Sequence, residues 1–201
     1  MHLMYLNNKK MTTADERLQT IWNGCMTNDR KSQEQLYRLL APRMLAVCMR
    51  YATDKDEAQD ILQEGFIKMF RNMKNYRGEG SLEGWIRRIM VHCAISRYRK
   101  LKPIVLVDDF AAEEAAVIPI SSSYNDNGLE AKDLMKLVQK LPKTYRSVFN
   151  MYAIEGYSHQ EIGSSLGMSE LLSRTTLHRA RTLLKDMVAK LTMREEHCLA
   201  G

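Results

Sequence analysis

The chain has 201 residues, with 30 Lys and Arg against 24 Asp and Glu, a formal net charge of +6 and a pI near 9.1. Hydrophobic residues make up 45% of it, which excludes a disordered chain, while the longest apolar runs are only a few residues, which excludes a membrane-spanning helix. The four cysteines lie far apart without a CxxC pair, and residues 1–11 lack the apolar stretch of a secretory signal. We therefore expect a protein of the reducing cytoplasm, with no metal and no other cofactor.

The charge is unevenly distributed along the chain. Residues 1–100 carry 18 basic and 11 acidic side chains, residues 101–128 carry one Lys against five acids, and residues 129–201 carry 11 basic and eight acidic side chains. Two basic blocks therefore flank an acidic strip. Basic blocks favour a polyanionic partner, although mixed charge is also ordinary on the surface of helices.

The first basic block has the apolar period of helices and no alternation typical of strands. A stripe from Leu18 to Met26 predicts the first helix. The second helix begins near Asn28 or Asp29, and Pro42 is expected to break or kink it.

Two further helices complete this block. Asp54 and Glu57 resemble a capping box at the start of the third helix, whose apolar face runs unbroken to Met73. Glycine-rich turn residues precede Ser81, which can cap a fourth helix from Leu82 to about Lys100.

Residues 101–128 are predicted to form a flexible acidic linker. They contain two prolines, a run of three serines and an Asn-Asp-Asn-Gly sequence, and their apolar residues show no helical period. The fold class is therefore all-α, with two small helical domains at residues 12–100 and 129–194 joined by this linker.

The second block predicts a helix-turn-helix. Pro142 and Gly156 close the first two helices of the block, and Ser158 with Glu161 forms a capping box that opens a short third helix. Gly163 is expected where two helices cross closely, and Gly167 at a turn that requires a positive φ. Ser169 then caps a long final helix.

The outward face of the final helix is basic. Arg174, His178, Arg181 and Lys185 recur at spacings of four, three and four, with Arg179 beside them. A helix of this kind fits the major groove of DNA, where Arg174 is the best candidate for a base edge and the later cations for phosphates. The alternative is a four-helix bundle with a solvated basic face.

Two surfaces of the first block suggest different partners. The fourth helix is rich in Arg, with Tyr76, Trp85 and Tyr98 nearby, and cations beside flat rings suit unpaired nucleic acid, although Trp85 also fits the core. The third helix has an acidic polar face that includes Asp60 and Glu64, which favours a protein partner over phosphate; a plain solvated face is the alternative.

Three segments, in order, resemble the bacterial sigma factors of the extracytoplasmic-function type (group IV). Residues 60–66, Asp-Ile-Leu-Gln-Glu-Gly-Phe, are similar to the family's segment that binds core polymerase. Residues 76–89 are similar to its promoter-melting, minus-ten-reading segment, and residues 158–181 to its minus-thirty-five-reading helix-turn-helix. The resemblance covers residues 15–192.

The resemblance implies a transcription initiation factor, not an enzyme, whose two domains are sigma region 2 and sigma region 4. Its implied partners are core RNA polymerase, promoter DNA as duplex and melted strand, and an anti-sigma factor, with no insertion into a membrane. The acidic linker would enter the polymerase channel.

The residues implied to bind polymerase are Asp60, Gln63, Glu64 and Phe66. Those implied to read the minus-ten element are Tyr76, Arg77, Ser81, Arg88, His92, Ser96 and Arg99. Those implied to read the minus-thirty-five element are Ser169, Arg174, Thr175, His178, Arg179 and Arg181.

Two positions depart from the family's pattern. Leu171 and Leu172 stand where Gly-Thr is frequent, so that a phosphate contact is lost and Leu171 is available to a thymine methyl group. His92 stands where Asn is frequent. The alternative function is a stand-alone helix-turn-helix regulator, while an enzyme is disfavoured because the chain has neither a nucleophile motif nor a glycine-rich phosphate loop.

Overall fold

The computed structural model describes residues 13–101 and 131–199, so residues 102–128 of the predicted linker, with its acidic residues, lie outside the described residues. The described parts are helical throughout, which confirms the all-α prediction. The first module consists of α1 (Thr13–Met26), α2 (Arg30–Met49), α3 (Lys55–Arg71) and α4 (Leu82–Leu101), with a 3₁₀ turn at Met73–Asn75. The second module consists of α5 (Ala131–Lys140), α6 (Lys143–Phe149), a π-helical segment (Asn150–Ile154), α7 (His159–Leu166) and α8 (Glu170–Leu199).

Helices α2 and α3 begin where the sequence predicts, and an aspartate caps each of them. The Asp29 carboxylate accepts hydrogen bonds from the backbone N–H groups of Lys31 and Ser32 at the start of α2. Asp54 caps α3 by accepting from the Glu57 N–H at 2.8 Å, as expected. The Glu57 carboxylate, however, accepts from the N–H and hydroxyl of Thr53, so the reciprocal bond of the capping box lies one residue earlier than predicted.

The chain does not break at Pro42, one of the two outcomes expected there, because α2 continues through this residue to Met49. A proline in a helix removes one hydrogen bond and crowds the preceding turn. Here Leu40 and Met44, on either side of it, are each 1% exposed, and burial of these large side chains holds both halves of the helix against the core.

The core of the first module is formed by the apolar stripes of α1–α4. Leu36, Ile61, Met69 and Met90 are among the side chains that are almost completely buried there. Gly65 of α3 lies against Met90 of α4, and a Cβ at this position would lie 2.1 Å from the Met90 sulfur. The glycine therefore lets α3 and α4 pack closely, which fixes the outward faces of both helices.

The second module departs from the predicted pattern at one point. The stripe from Tyr145 to Tyr152 does not form a single α-helix, because the chain changes to a π-helical turn at Asn150 and ends it before Gly156, where φ is +77°. Such a turn inserts an additional residue and rotates the following side chains relative to the α-helix. As a result Asn150 and Met151 both become fully buried.

The two modules pack against each other. The larger apolar core joins residues of the first module to Val148, Met151, Ile162, Leu166 and Leu177 of the second. A smaller core lies between α5, α6 and α8, and includes Leu137, Val138 and Leu184. Helix α7 contacts both α4 and α8, so it lies between the basic helices of the two modules.

Candidate nucleic-acid interface

The polar face of α3 is exposed and bears ion pairs. Asp60 and Gln63 are exposed, and the Asp60 carboxylate pairs with Arg97 of α4 at 2.8 Å. Glu64 is partly exposed and pairs with Lys68 one turn later at 2.6 Å. Exposed pairs of this kind contribute little to stability, so these carboxylates remain available to a partner that offers better geometry.

Phe66, the fourth residue predicted on this surface, lies in the core and is only 3% exposed. Its ring packs against that of Tyr37 in α2, with 4.7 Å between centroids. Tyr37 and Ile67 are instead the exposed apolar side chains at this place, at 40% and 51%. Sequence reasoning missed both, although Ile67 stands out as an apolar residue off the buried stripe of α3.

The loop between the 3₁₀ turn and α4 carries the predicted residues Tyr76, Arg77 and Ser81. Gly78 and Gly80 have φ values of +76° and +86°, which other residues rarely adopt, and the Tyr76 hydroxyl donates to the Gly80 carbonyl at 2.9 Å. Arg77 and Ser81 are exposed, and the Ser81 hydroxyl accepts from the Gly84 N–H at the start of α4.

An aromatic cluster supports this loop from beneath. The Tyr76 ring packs against Trp22 and Trp85, with centroids 5.6 and 5.5 Å apart, and Trp22 is only 5% exposed. A cleft of about 410 Å³, within the range of small-ligand sites, lies beside Tyr76 and Ser81. The loop is therefore held in one shape next to a concave surface.

Four of the predicted minus-ten residues form one exposed stripe along α4. Arg88, His92, Ser96 and Arg99 are spaced at four, four and three residues, which places them on one face of the helix, and all four are exposed. The pKa of His92 is lowered, first by desolvation where the ring meets Tyr157 and then by the charge of Arg88. His92 therefore offers a neutral imidazole close to the Arg88 guanidinium.

The helix-turn-helix has the predicted local geometry. The Ser158 hydroxyl caps α7 and the Glu161 carboxylate accepts from the Ser158 N–H at 2.8 Å, which completes the capping box. Gly167 has a φ of +70°. A Cβ on Gly163 would lie 2.7 Å from the backbone carbonyl oxygen of Met168, so the expected close approach at this glycine is confirmed.

A buried polar cluster joins α7 to the final helix. His159 is 9% exposed, its Nδ1 lies 3.0 Å from the Ser173 hydroxyl, and its ring stacks on Tyr152 at 4.5 Å. Desolvation is the largest cause that lowers the pKa of His159, followed by the charge of Arg174. The Arg181 guanidinium lies over the Tyr152 ring, 5.7 Å from its centroid. These contacts orient α8 on α7.

The outward face of α8 presents the predicted minus-thirty-five residues. The Ser169 hydroxyl caps the helix by accepting from the Leu172 N–H, and Arg174 pairs with Glu170 at 2.5 Å. The exposed residues of this face that were predicted to contact DNA are Ser169, Arg174, Thr175, His178, Arg179 and Arg181. Leu171 is 73% exposed on the same turn, which makes it the most exposed large apolar side chain among the described residues.

Within the parts of the chain that the structure describes, no group of three or more His, Cys, Asp or Glu side chains is arranged to hold a metal ion. Among the same residues, no helix combines the length and apolar character needed to cross a membrane.

Two family models match the chain. Residues 36–103 match Sigma-70 region 2 and residues 131–184 match Sigma-70, region 4, together more than half of the 201 residues. The chain is 32% identical over 162 residues to the ECF RNA polymerase sigma factor SigE of Mycolicibacterium smegmatis, covering 79% of this chain and 62% of that protein. It is 28% identical over 163 residues to the RNA polymerase sigma factor YlaC of Bacillus subtilis, covering 80% and 94%.

A solved structure is also similar. It contains the sigma factor RpoE in complex with the anti-sigma factor NepR from Bartonella quintana, with 20% sequence identity, a TM-score of 0.47 and coverage of 78% of this chain and 96% of that one.

Proposed function

We propose a mechanism from the premise that this chain belongs to the sigma-70 family of RNA polymerase sigma factors, in its extracytoplasmic-function group. The protein is a transcription initiation factor that binds core RNA polymerase and directs it to promoters by reading a minus-ten and a minus-thirty-five element. Its residues 12–100 act as region 2 and residues 129–194 as region 4, joined by the linker at 101–128. The observation that carries the proposal is the presence of two separate basic faces, on α4 and α8, together with one acidic face on α3.

The polymerase contact is assigned to the outward face of α3. Asp60, Gln63 and Glu64 would bind a basic surface of the polymerase, and the ion pairs to Arg97 and Lys68 would exchange for intermolecular ones. Phe66 would act indirectly, because it supports Tyr37 from the core. The exposed rings and methyl groups of Tyr37 and Ile67 would add the apolar centre of this contact.

The minus-ten contact is assigned to the loop at Tyr76–Ser81 and to the stripe on α4. Arg77, Arg88 and Arg99 would pair with phosphates of the melted strand, and Ser81, His92 and Ser96 would donate or accept hydrogen bonds at sugars and base edges. The concave surface beside Tyr76 would receive an unstacked base. Since Tyr76 is held by Trp22 and Trp85, it contributes one edge of its ring and not a free face.

The minus-thirty-five contact is assigned to the start and outer face of α8. Arg174, Thr175 and His178 would reach the base edges in the major groove, and Ser169, Arg179 and Arg181 would contact the flanking phosphates. The pair with Glu170 holds the Arg174 guanidinium in one orientation before DNA binds. The affinity for DNA should therefore fall as the salt concentration rises, and it should fall more steeply the more phosphates these side chains neutralise.

We also infer that the protein acts in the cytoplasm and has no catalytic activity of its own. An anti-sigma factor would cover its polymerase-binding and DNA-binding faces.

The decisive experiment is reconstituted transcription. Core polymerase is mixed with the chain and genomic DNA fragments, and transcript starts are mapped with and without the chain. New, reproducible start sites are expected only when the chain is present. A stand-alone regulator, the alternative function, would instead bind duplex DNA tightly by itself and would give core polymerase no start-site selectivity.

A matched pair of variants tests the assigned polymerase surface. Gln63→Ala removes an exposed amide from the proposed contact and should weaken binding to core polymerase by up to about tenfold, as for other interface side chains. Gln59→Ala, one turn earlier on α3 and also exposed, serves as the control. Equal affinity of both variants and wild type would remove this face from the proposal.

A further inference from the structure

The first turn of α8 carries one acidic side chain on a face that is otherwise basic. Glu170 is the only Asp or Glu between Ser169 and Lys185, and its side chain is 48% exposed. The phosphates of DNA repel a carboxylate, so Glu170 weakens DNA binding at this surface unless a base compensates for the repulsion. The group that Glu170 meets on DNA therefore affects both the affinity and the choice of sequence.

The backbone at Glu170 is held in place before DNA binds. A Cβ on Gly163 would lie 2.7 Å from the carbonyl oxygen of Met168 and 3.6 Å from the backbone nitrogen of Glu170, so the start of α8 packs directly on α7. The Ser169 hydroxyl caps this turn by accepting from the Leu172 N–H at 3.1 Å. A side chain on a rigid turn enters the groove of DNA in a defined position, which the reading of a base requires.

The ion pair with Arg174 leaves one oxygen of the Glu170 carboxylate for DNA. Arg174 donates from Nε at 3.2 Å and from Nη2 at 2.5 Å, and both bonds go to Oε1. Among the described residues, Glu170 Oε2 and Arg174 Nη1 have no hydrogen-bond partner. The pair therefore presents an acceptor beside a donor on the exposed side of the recognition helix.

The edges of the bases in the major groove respond differently to these two groups. Cytosine and adenine present amino groups that donate, whereas guanine presents O6 and N7 and thymine presents O4, all of which accept. An ionised carboxylate can only accept a hydrogen bond, and a guanidinium can only donate. Glu170 Oε2 can therefore bond to cytosine or adenine and is repelled by guanine and thymine, while Arg174 favours guanine.

The same carboxylate also has a structural role that does not involve DNA. An acidic residue in the first turn of a helix interacts favourably with the unpaired N–H groups there, and Glu34 and Arg38 form a pair of the same spacing in α2. A role of this kind would affect all DNA sequences equally, because helix stability does not depend on the bases. Leu171, the next residue, is 73% exposed, so this turn is open to DNA and Oε2 is free to approach a base.

We propose that Glu170 is a specificity-determining residue of the minus-thirty-five contact. Its Oε2 accepts a hydrogen bond from the amino group of a cytosine or an adenine in the major groove, and it rejects guanine and thymine at that position. Arg174, held by Oε1, donates to a guanine in the same or the adjacent base pair. The inference rests on the function proposed above, and it adds a repulsive element to the basic residues already assigned to this contact.

The test uses polymerase reconstituted from core enzyme and the full chain. A promoter found by mapping transcript starts is synthesised with randomised base pairs around minus thirty-five, and the bound and unbound duplexes are sequenced. With the wild-type chain, one position should favour cytosine or adenine over guanine and thymine by about tenfold. The base that is enriched identifies the amino group. A duplex whose base at this position is an analogue without the amino group should bind more weakly by about the same factor.

Two substitutions of Glu170 predict different changes in base preference. Glu170→Ala should abolish the preference at this position, bind the rejected sequences more tightly than wild type does, and bind the analogue duplex as well as the natural one. Glu170→Gln should shift the preference towards adenine, because a glutamine amide both donates and accepts and can bond to N6 and N7 together. The preference for guanine should weaken in Glu170→Ala, since Arg174 loses the partner that orients it.

Asp186→Asn is the matched control, because it removes an exposed acidic charge farther along the same helix and should leave every base preference unchanged. Glu170 variants that alter the affinity for all sequences by one common factor would overturn the inference and leave the proposed function intact. The same holds for a wild-type chain without any position that favours an amino-bearing base. If Glu170→Ala fails to fold, Glu170→Gln decides, since it keeps the length of the side chain. A reconstituted polymerase with no sequence preference around minus thirty-five would contradict the proposed function itself.

Discussion

Gly163→Ala is expected to destabilise the helix-turn-helix, although alanine is the better helix former. In α7 the added Cβ would lie 2.7 Å from the carbonyl oxygen of Met168. That oxygen belongs to the backbone of the turn, where the Met168 N–H donates to the Gly163 carbonyl at 3.0 Å. The turn cannot move away without losing this hydrogen bond and the left-handed conformation of Gly167.

The sign of the effect follows from two opposing terms. Replacing glycine by alanine inside a helix stabilises by about 1 kcal/mol. Forcing an additional carbon into a packed site costs about 1–3 kcal/mol. Because the obstructing atom is backbone and not the end of a flexible side chain, we place the cost near the upper end, and expect a net loss of about 1–2 kcal/mol.

Thermal unfolding followed by circular dichroism measures this loss, at about 4–8 °C per kcal/mol for a module of this size. Hydrogen exchange of the α7 and α8 amides locates it. Ser164→Ala, on the exposed face of α7, is the control and should change the unfolding temperature little. A Gly163→Ala protein as stable as wild type, or more stable, would refute the steric argument, because propensity alone predicts that outcome.

Three further outcomes are expected. Ser158→Ala should lower the stability of the second module by about 1 kcal/mol in thermal unfolding, since the cap of α7 is lost. His159 takes up a proton near pH 6.5 in the unfolded chain but only at lower pH in the folded one, so its contribution to the free energy of unfolding should fall as the pH drops below 6.5 and stay constant above it. His159→Gln should make this dependence of stability on pH less steep, as measured by urea unfolding at several pH values. If Leu171 packs on a thymine methyl group, replacing that thymine by uracil should weaken wild-type binding about fourfold and leave Leu171→Ala unaffected in the same titration.

Local structure was predictable wherever one residue decides it. The caps at Asp54 and Ser158 depend on side chains that reach backbone groups three residues away, and the turn at Gly167 depends on a conformation that glycine adopts most readily. Such interactions span a single turn of chain. The sequence alone therefore predicts the helices, the helix-turn-helix and the order of the basic and acidic faces.

Prediction was wrong where packing outweighs a local preference. Proline disfavours a helix interior, yet burial of Leu40 and Met44 keeps α2 continuous through Pro42. The period after Tyr145 suggests one α-helix, whereas the π-helical segment at Asn150 allows both Asn150 and Met151 to be buried. In each place the free energy of burial depends on side chains that are distant in sequence.

The sequence by itself determined which residues are helical, which faces are charged and how the motifs are ordered, because these properties depend on neighbours within about one helical turn. Only the tertiary structure decided that Tyr37 is exposed beside the buried Phe66, and that Glu155 lies between Arg50 and Arg87. The physical reason is that a carboxylate and a guanidinium more than sixty positions apart meet only if the intervening helices pack in one way, and no local pattern encodes that distance.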